Sequence, residues 1–152
     1  MLKILQRFLL LFCSISLVTA QTTETTTQTD IALIKDFISD IADETLRPDV
    51  ILNRYVLLQQ TETDEEYDYL EASIEEIRIN LQPKNIDEIA YIPFQALPKR
   101  ETRDIDPEGK PTNKMYFLRY RNRQMLAVYI AQDKIASFTL VSKGEKAHFV
   151  TY

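Results

Sequence analysis

Glycine is nearly missing from this chain: only Gly109 and Gly144 occur in 152 residues. Phosphate-cradling loops, dinucleotide fingerprints and nucleophile elbows each need several glycines within a short span, so all three are excluded. There is one cysteine, Cys13, one histidine, His148, and no tryptophan. A single cysteine forbids an internal disulfide and a multi-thiolate metal site, and a single histidine forbids a His-x-x-x-His metal pair. No cofactor motif is present, and neither a cofactor nor a metal is expected. An excess of cations is also lacking. With 23 acidic residues against 18 basic ones and a net charge of −5, nonspecific nucleic-acid binding is not expected.

Long hydrophobic runs are absent except at the start. Lys3 and Arg7 precede an apolar run from Phe8 to Val18, and Val18-Thr19-Ala20 offers the small-residue pattern of a cleavage site. Residues 1–20 therefore read as a secretory signal peptide cleaved after Ala20. The run is shorter than the roughly 20 apolar residues of a membrane span. Leu10-Leu11-Phe12 ahead of Cys13 lacks the small residues of a lipobox. The expectation is a secreted or periplasmic protein with no stable membrane anchor after cleavage. A mature part without cysteine fits a bacterial periplasm or cell exterior better than a disulfide-rich secreted module. Losing Lys3 and Arg7 takes the net charge from −5 to −7. Residues 21–29, Thr-rich with Glu24 as the single charge, read as a disordered leader. Residues 30–152 are enough for one domain with its own core.

Within that domain the periodicity changes from helical to strand-like. Asp30 reads as the cap of a first helix carrying Ile34, Phe37, Ile38, Ile41 and Leu46 at spacings of three and four. Arg47-Pro48 ends it, and Pro48 suits the first position of a second helix with Ile51, Leu52, Tyr55, Val56 and Leu58. Thr63-x-x-Glu66 is a capping box opening a third helix over 64–82, with an apolar stripe of Tyr67, Leu70, Ile74, Ile77 and Leu81. Its carboxylates point around the helix, which suits a solvated face better than a cation site. Ile89 to Leu97 reads as a strand that Pro93 confines to a sheet edge. Lys99 to Asn113 is a long polar excursion, either a flexible flap or a functional loop.

The last forty residues read as a meander of Met115–Tyr120, Met125–Ala131, Ile135–Ser142 and Ala147–Tyr152, turned at Asn122-Arg123, Gln132-Asp133 and Lys143-Gly144. The fold class is α+β: three N-terminal helices, then a four- to five-stranded antiparallel meander packed against the helix over 64–82. Two-residue turns throughout would put Phe117, Leu126, Val128, Ile130, Ile135, Val141 and Val150 on one face. Tyr116, Tyr120, Tyr129, Phe138 and Phe149 would share the other. That aromatic face must be covered by a helix, a ligand or a partner. Arg119, Arg121 and Arg123 around the first turn suit an anionic partner or simple protection of a sheet edge. The candidate site is thus Tyr116, Tyr120, Tyr129, Phe138 and Phe149 with Arg121 and Arg123. His148 reads as an ordinary strand residue.

Helices followed by a long antiparallel meander from Asp30 to Tyr152 resemble the cystatin-like α+β domains, including the nuclear transport factor 2-like group. That resemblance implies a curved sheet wrapped on a helix, often with a cavity. It carries over no functional residue. The chain lacks the Gln-x-Val-x-Gly loop and Pro-Trp turn of the protease-inhibiting cystatins, and its helices all precede the sheet. The expected function is an exported, non-catalytic binding domain for a ligand or protein partner. The alternatives are a small cofactor-free enzyme of the dehydratase or isomerase kind with a sheet-lined cavity, and a homodimer formed through the aromatic face.

Overall fold

Three helices lie against one face of an antiparallel sheet in a computed structural model, which describes residues 24–58 and 63–152. The expected signal peptide and residues 21–23 lie outside the described residues. Helix α1 covers residues 24–42. The expected leader is therefore helical from residue 24, and Asp30 lies inside α1 instead of capping it. Two interactions explain the difference. The Thr29 hydroxyl bonds back to the Thr25 carbonyl at 3.0 Å, a bond that tolerates helix. Asp30, only 3 % exposed, is drawn inward by Lys114 Nζ at 2.9 Å and by the Tyr116 hydroxyl at 2.8 Å.

Helix α1 ends at Ala42, short of the expected Leu46, because Asp43 Oδ1 accepts from both the Thr45 amide (2.9 Å) and hydroxyl (2.7 Å). This local turn competes with further helix. Helix α2, Pro48–Tyr55, has Pro48 in its first turn. Helix α3, Asp64–Leu81, has Thr63 as its cap, accepting from the Glu66 amide at 3.3 Å. Both starts follow the sequence. Arg78 of α3 is buried: its guanidinium donates to the carbonyls of Ile41 (2.8 Å) and Leu46 (2.6 Å) and to Glu75 (2.6 Å). It closes the end of α1 and the following loop at once.

The sheet comprises β1 (Ala90–Pro93), β2 (Met115–Tyr120), β3 (Arg123–Ala131) and β4 (Lys134–Ser137), hydrogen-bonded in that order. Pro93 is on the edge strand, as its missing N–H demands. The meander does not run on unbroken. Strands β5 (Thr139–Lys143) and β6 (Lys146–Val150) form a separate two-stranded sheet. The first turn is Arg121–Asn122, not Asn122-Arg123, with φ of 49° and 64°. Gln132–Asp133 turns as predicted, with φ of 50° and 56°. The last turn is Gly144–Glu145, where Gly144 supplies φ of 67°.

The shifted turns keep the expected faces, and two register irregularities, at Leu118/Arg119 and at Tyr129/Ile130, overturn them. Leu118 pairs with Leu126 but Arg119 pairs with Gln124, leaving Met125 as an extra, bulged residue. One extra residue exchanges the sides of everything beyond it. Tyr116, Leu118 and Tyr120 therefore join Val128, Ile130 and Ile135 on the helix side, with Phe37, Phe138 and Tyr152. Phe117 joins Met115, Ala127, Tyr129, Ala136 and Phe149 on the opposite side.

That opposite side is covered by the chain itself. Leu97 from the segment after β1, Ile105 from the 99–113 excursion, and Leu140 and Phe149 from the β5–β6 hairpin pack there. The excursion is no open flap. It contains a short helix α4, Lys99–Thr102. The Asp106 amide donates to the Ala147 carbonyl at 2.9 Å, and the Ala147 amide to the Asp104 carbonyl at 2.8 Å. Sequence offered no period from which to read this cover, because each anchor is a single residue in a polar stretch.

Candidate functional site

The seven residues picked out from sequence do not form one site. Tyr116, fully buried, gives its hydroxyl to Asp30. Tyr129 and Phe149, 7 % and 2 % exposed, stack at 6.1 Å inside the second core. These three serve packing. Phe138, 4 % exposed and packed on Phe37, borders only the middle of a slot beside α3, and Tyr120, Arg121 and Arg123 come together at one end of it.

The slot is a line of three neighbouring hollows. The first, about 460 Å³, lies between Glu65, Glu66 and Tyr69 of α3 and residues 150–152. The second, about 350 Å³, shares Tyr69 and passes between Ser73 and Ile77 on one side and the sheet on the other. The third, about 710 Å³, shares Ile77 and Met125 and ends among Lys84, Tyr120, Arg121 and Arg123. At 1.5 Å per helical residue, Glu65 to Leu81 spans about 24 Å. One end is acidic and the other basic, and the middle mixes Ile77, Met125 and Leu126 with Ser73, Glu76, Asn80 and Thr139.

The sheet wall of the middle hollow is Gln124, Met125, Leu126 and Ala127, with Phe138, Thr139 and Leu140 opposite. Consecutive strand residues alternate between faces, so a hollow touching four in a row meets mainly the edge of β3, opened further by the Met125 bulge. Strand β4 pairs only with Tyr129–Ala131 of β3, and among the described residues no ladder pairs the outer edge of Arg123–Val128. The cause is local chemistry at the crossing from β4 to β5. Ser137 Oγ accepts from the Thr139 amide at 3.2 Å and donates to the Thr139 carbonyl at 3.0 Å. The Phe138 amide donates to the Tyr152 hydroxyl at 3.2 Å, which lies 2.5 Å from Thr139 Oγ1. Backbone groups that would continue the β3 ladder are thereby diverted to side chains.

Electrostatics sort the three arginines. Arg119 pairs with Glu101 of α4 and leaves the cluster. Arg121 stacks on the Tyr120 ring at 5.1 Å and sits 3.9 Å from Glu88 while remaining three-quarters exposed. Arg123 is exposed at the slot's basic end. Sequence reasoning missed Tyr69, which is 59 % exposed. Its signal was an aromatic ring placed off the Tyr67–Leu70–Ile74 stripe.

The acid–base alternative finds its nearest match in Asp30 and Tyr116. Burial, followed by the Asp30 hydrogen bond, pushes the Tyr116 hydroxyl well above its ordinary range. Yet Asp30 is occupied by Lys114 and Tyr116, and neither borders the slot. His148 Nδ1 lies 3.0 Å from Glu108 Oε1, close enough for an ion pair when protonated but off-line for a hydrogen bond. Among the described residues no three His, Cys, Asp or Glu side chains converge as metal ligands, and no helix is long and apolar enough to cross a membrane. No family model, no curated protein and no solved structure matches this chain.

Proposed function

We propose that this chain is an exported, non-catalytic binding domain whose recognition surface is the slot between α3 and the open edge of β3. The observation that carries this reading is the middle hollow lined by consecutive residues of β3 and of the β4–β5 crossing. Unpaired backbone in a partly apolar channel is a recognition surface by its chemistry. The aromatic sheet face loses its role, since its members split between two cores. The likeness to cystatin-like domains stays a proposal about architecture.

Photo-crosslinking in the native cell tests the reading. A benzophenone side chain at Tyr69 or Gln124 should give a specific adduct, while one at Ile79 should not. Ile79 is 63 % exposed, about as much as Tyr69, but lies outside the slot. Equal adducts at all three positions, or none at Tyr69 and Gln124, would refute it. Protein recovered outside the cytoplasm should begin at Gln21; an intact Met1 would remove the export half of the proposal.

A further inference from the structure

Resting on the slot as the binding surface, we infer that its occupant is an extended peptide segment of another protein. The segment adds as a strand to Arg123–Leu126 and carries acidic side chains at the end that meets Lys84, Arg121 and Arg123. Three observations converge. The free edge is Arg123–Leu126, since Ala127 and Val128 are buried; it offers backbone donors and acceptors over about 13 Å, and the length of α3 beside it admits about seven extended residues at about 3.3 Å each. Carboxylates line the first two hollows, Glu65 and Glu66 at the end and Glu76 in the middle, and Lys84, Arg121 and Arg123 line the other end. This selects a segment of opposite gradient and fixes its direction. The walls also limit the guest: α3 stands on one side and Phe138–Leu140 on the other. A single strand enters, whereas a second copy of this chain would bring its own α3 along with its β3 edge.

Strand addition uses main-chain bonds for affinity and alternate side chains for selectivity. Met125 and Leu126 beside Ile77 give the guest apolar neighbours. The arginines differ in what holds them. Arg121 already stacks on Tyr120, so a carboxylate meets it pre-positioned, and Arg123 supplies a second cation two residues on.

Random twelve-residue peptides displayed on phage are panned against the intact chain, and the enriched sequences are synthesised. The inference expects acidic residues at one end of an alternating apolar stretch. It also expects slowed hydrogen exchange at residues 123–126 in the complex. Affinity should fall about tenfold when alternate peptide amides are N-methylated, the effect of losing two or three hydrogen bonds of ordinary net strength. The exposed double change Arg121→Glu and Arg123→Glu should weaken binding by about tenfold or more. Peptides blocked by Ser73→Trp in the slot wall but indifferent to N-methylation would overturn strand addition and leave the slot standing. No enrichment over a protein-free surface, or binders indifferent to Ser73→Trp and to charge reversal, would overturn both. A concentration-dependent dimer that protects residues 123–126 without peptide would assign the edge to a second copy and refute the peptide.

Discussion

At the scale of single residues, the fold depends on charged groups that do not sit on the surface. Arg78 satisfies the carbonyls of Ile41 and Leu46 from within the helix layer. Arg78→Ala leaves both without a charged donor and should cost about 3 kcal/mol in urea unfolding. Arg78→Lys should recover little of it, since a point ammonium cannot span two divergent acceptors. Tyrosines set the alkaline limit. Burial, with Asp87 nearby, lifts Tyr91 to about 12, and burial also raises Tyr116. The unfolded chain ionises near pH 10, so the fold holds these protons longer. Stability is then fully present below about pH 9 and drains as pH rises through 10 towards 12. Tyr91→Phe should move the alkaline unfolding midpoint upward, read from circular dichroism alongside tyrosinate absorbance.

Elements are decided by turns as much as by strands. Gln132 and Asp133 both sit at positive φ, where side chains other than Asn, Asp and Gly are strained. Gln132→Asn with Asp133→Gly should stabilise the β3–β4 hairpin by about 1 kcal/mol in thermal unfolding. This also shows what sequence could and could not reveal. The caps at Thr63 and Pro48 are local and were legible. So was Pro93 on an edge, because a missing donor has one consequence. The Met125 bulge was not, since neither glycine nor proline marks it, and with the second irregularity, which leaves Ala136 extra opposite Tyr129–Ile130, it exchanges the predicted faces. Arg78 was half legible: it lies four after Ile74 and three before Leu81, on the buried line, while Ile77 falls at the margin and borders the slot. The open edge of β3 was hidden altogether, because it depends on Ser137 and Tyr152 meeting the backbone of residues 138 and 139.

For the molecule as a whole, the sheet separates two hydrophobic cores. Phe138 packs at 5.9 Å from Phe37 on the helix side, and Tyr129 at 6.1 Å from Phe149 on the other. Phe138→Ser with Tyr129→Ser damages both at once. Each change should cost about 3–5 kcal/mol, against a total stability of about 5–15 kcal/mol for a domain. The double variant should be unfolded at room temperature by near-ultraviolet circular dichroism; a folded double variant would mean that one core suffices.

The same two-sidedness leaves Met115, Tyr116, Phe117 and Leu118 with no exposed surface at all. Most strands leave alternate positions open to drift. Here four neighbouring codons have no such freedom, since a change at any of them reaches one interior or the other. Inherited variation in this protein should therefore thin out over β2 as a solid block, where other strands would show a comb.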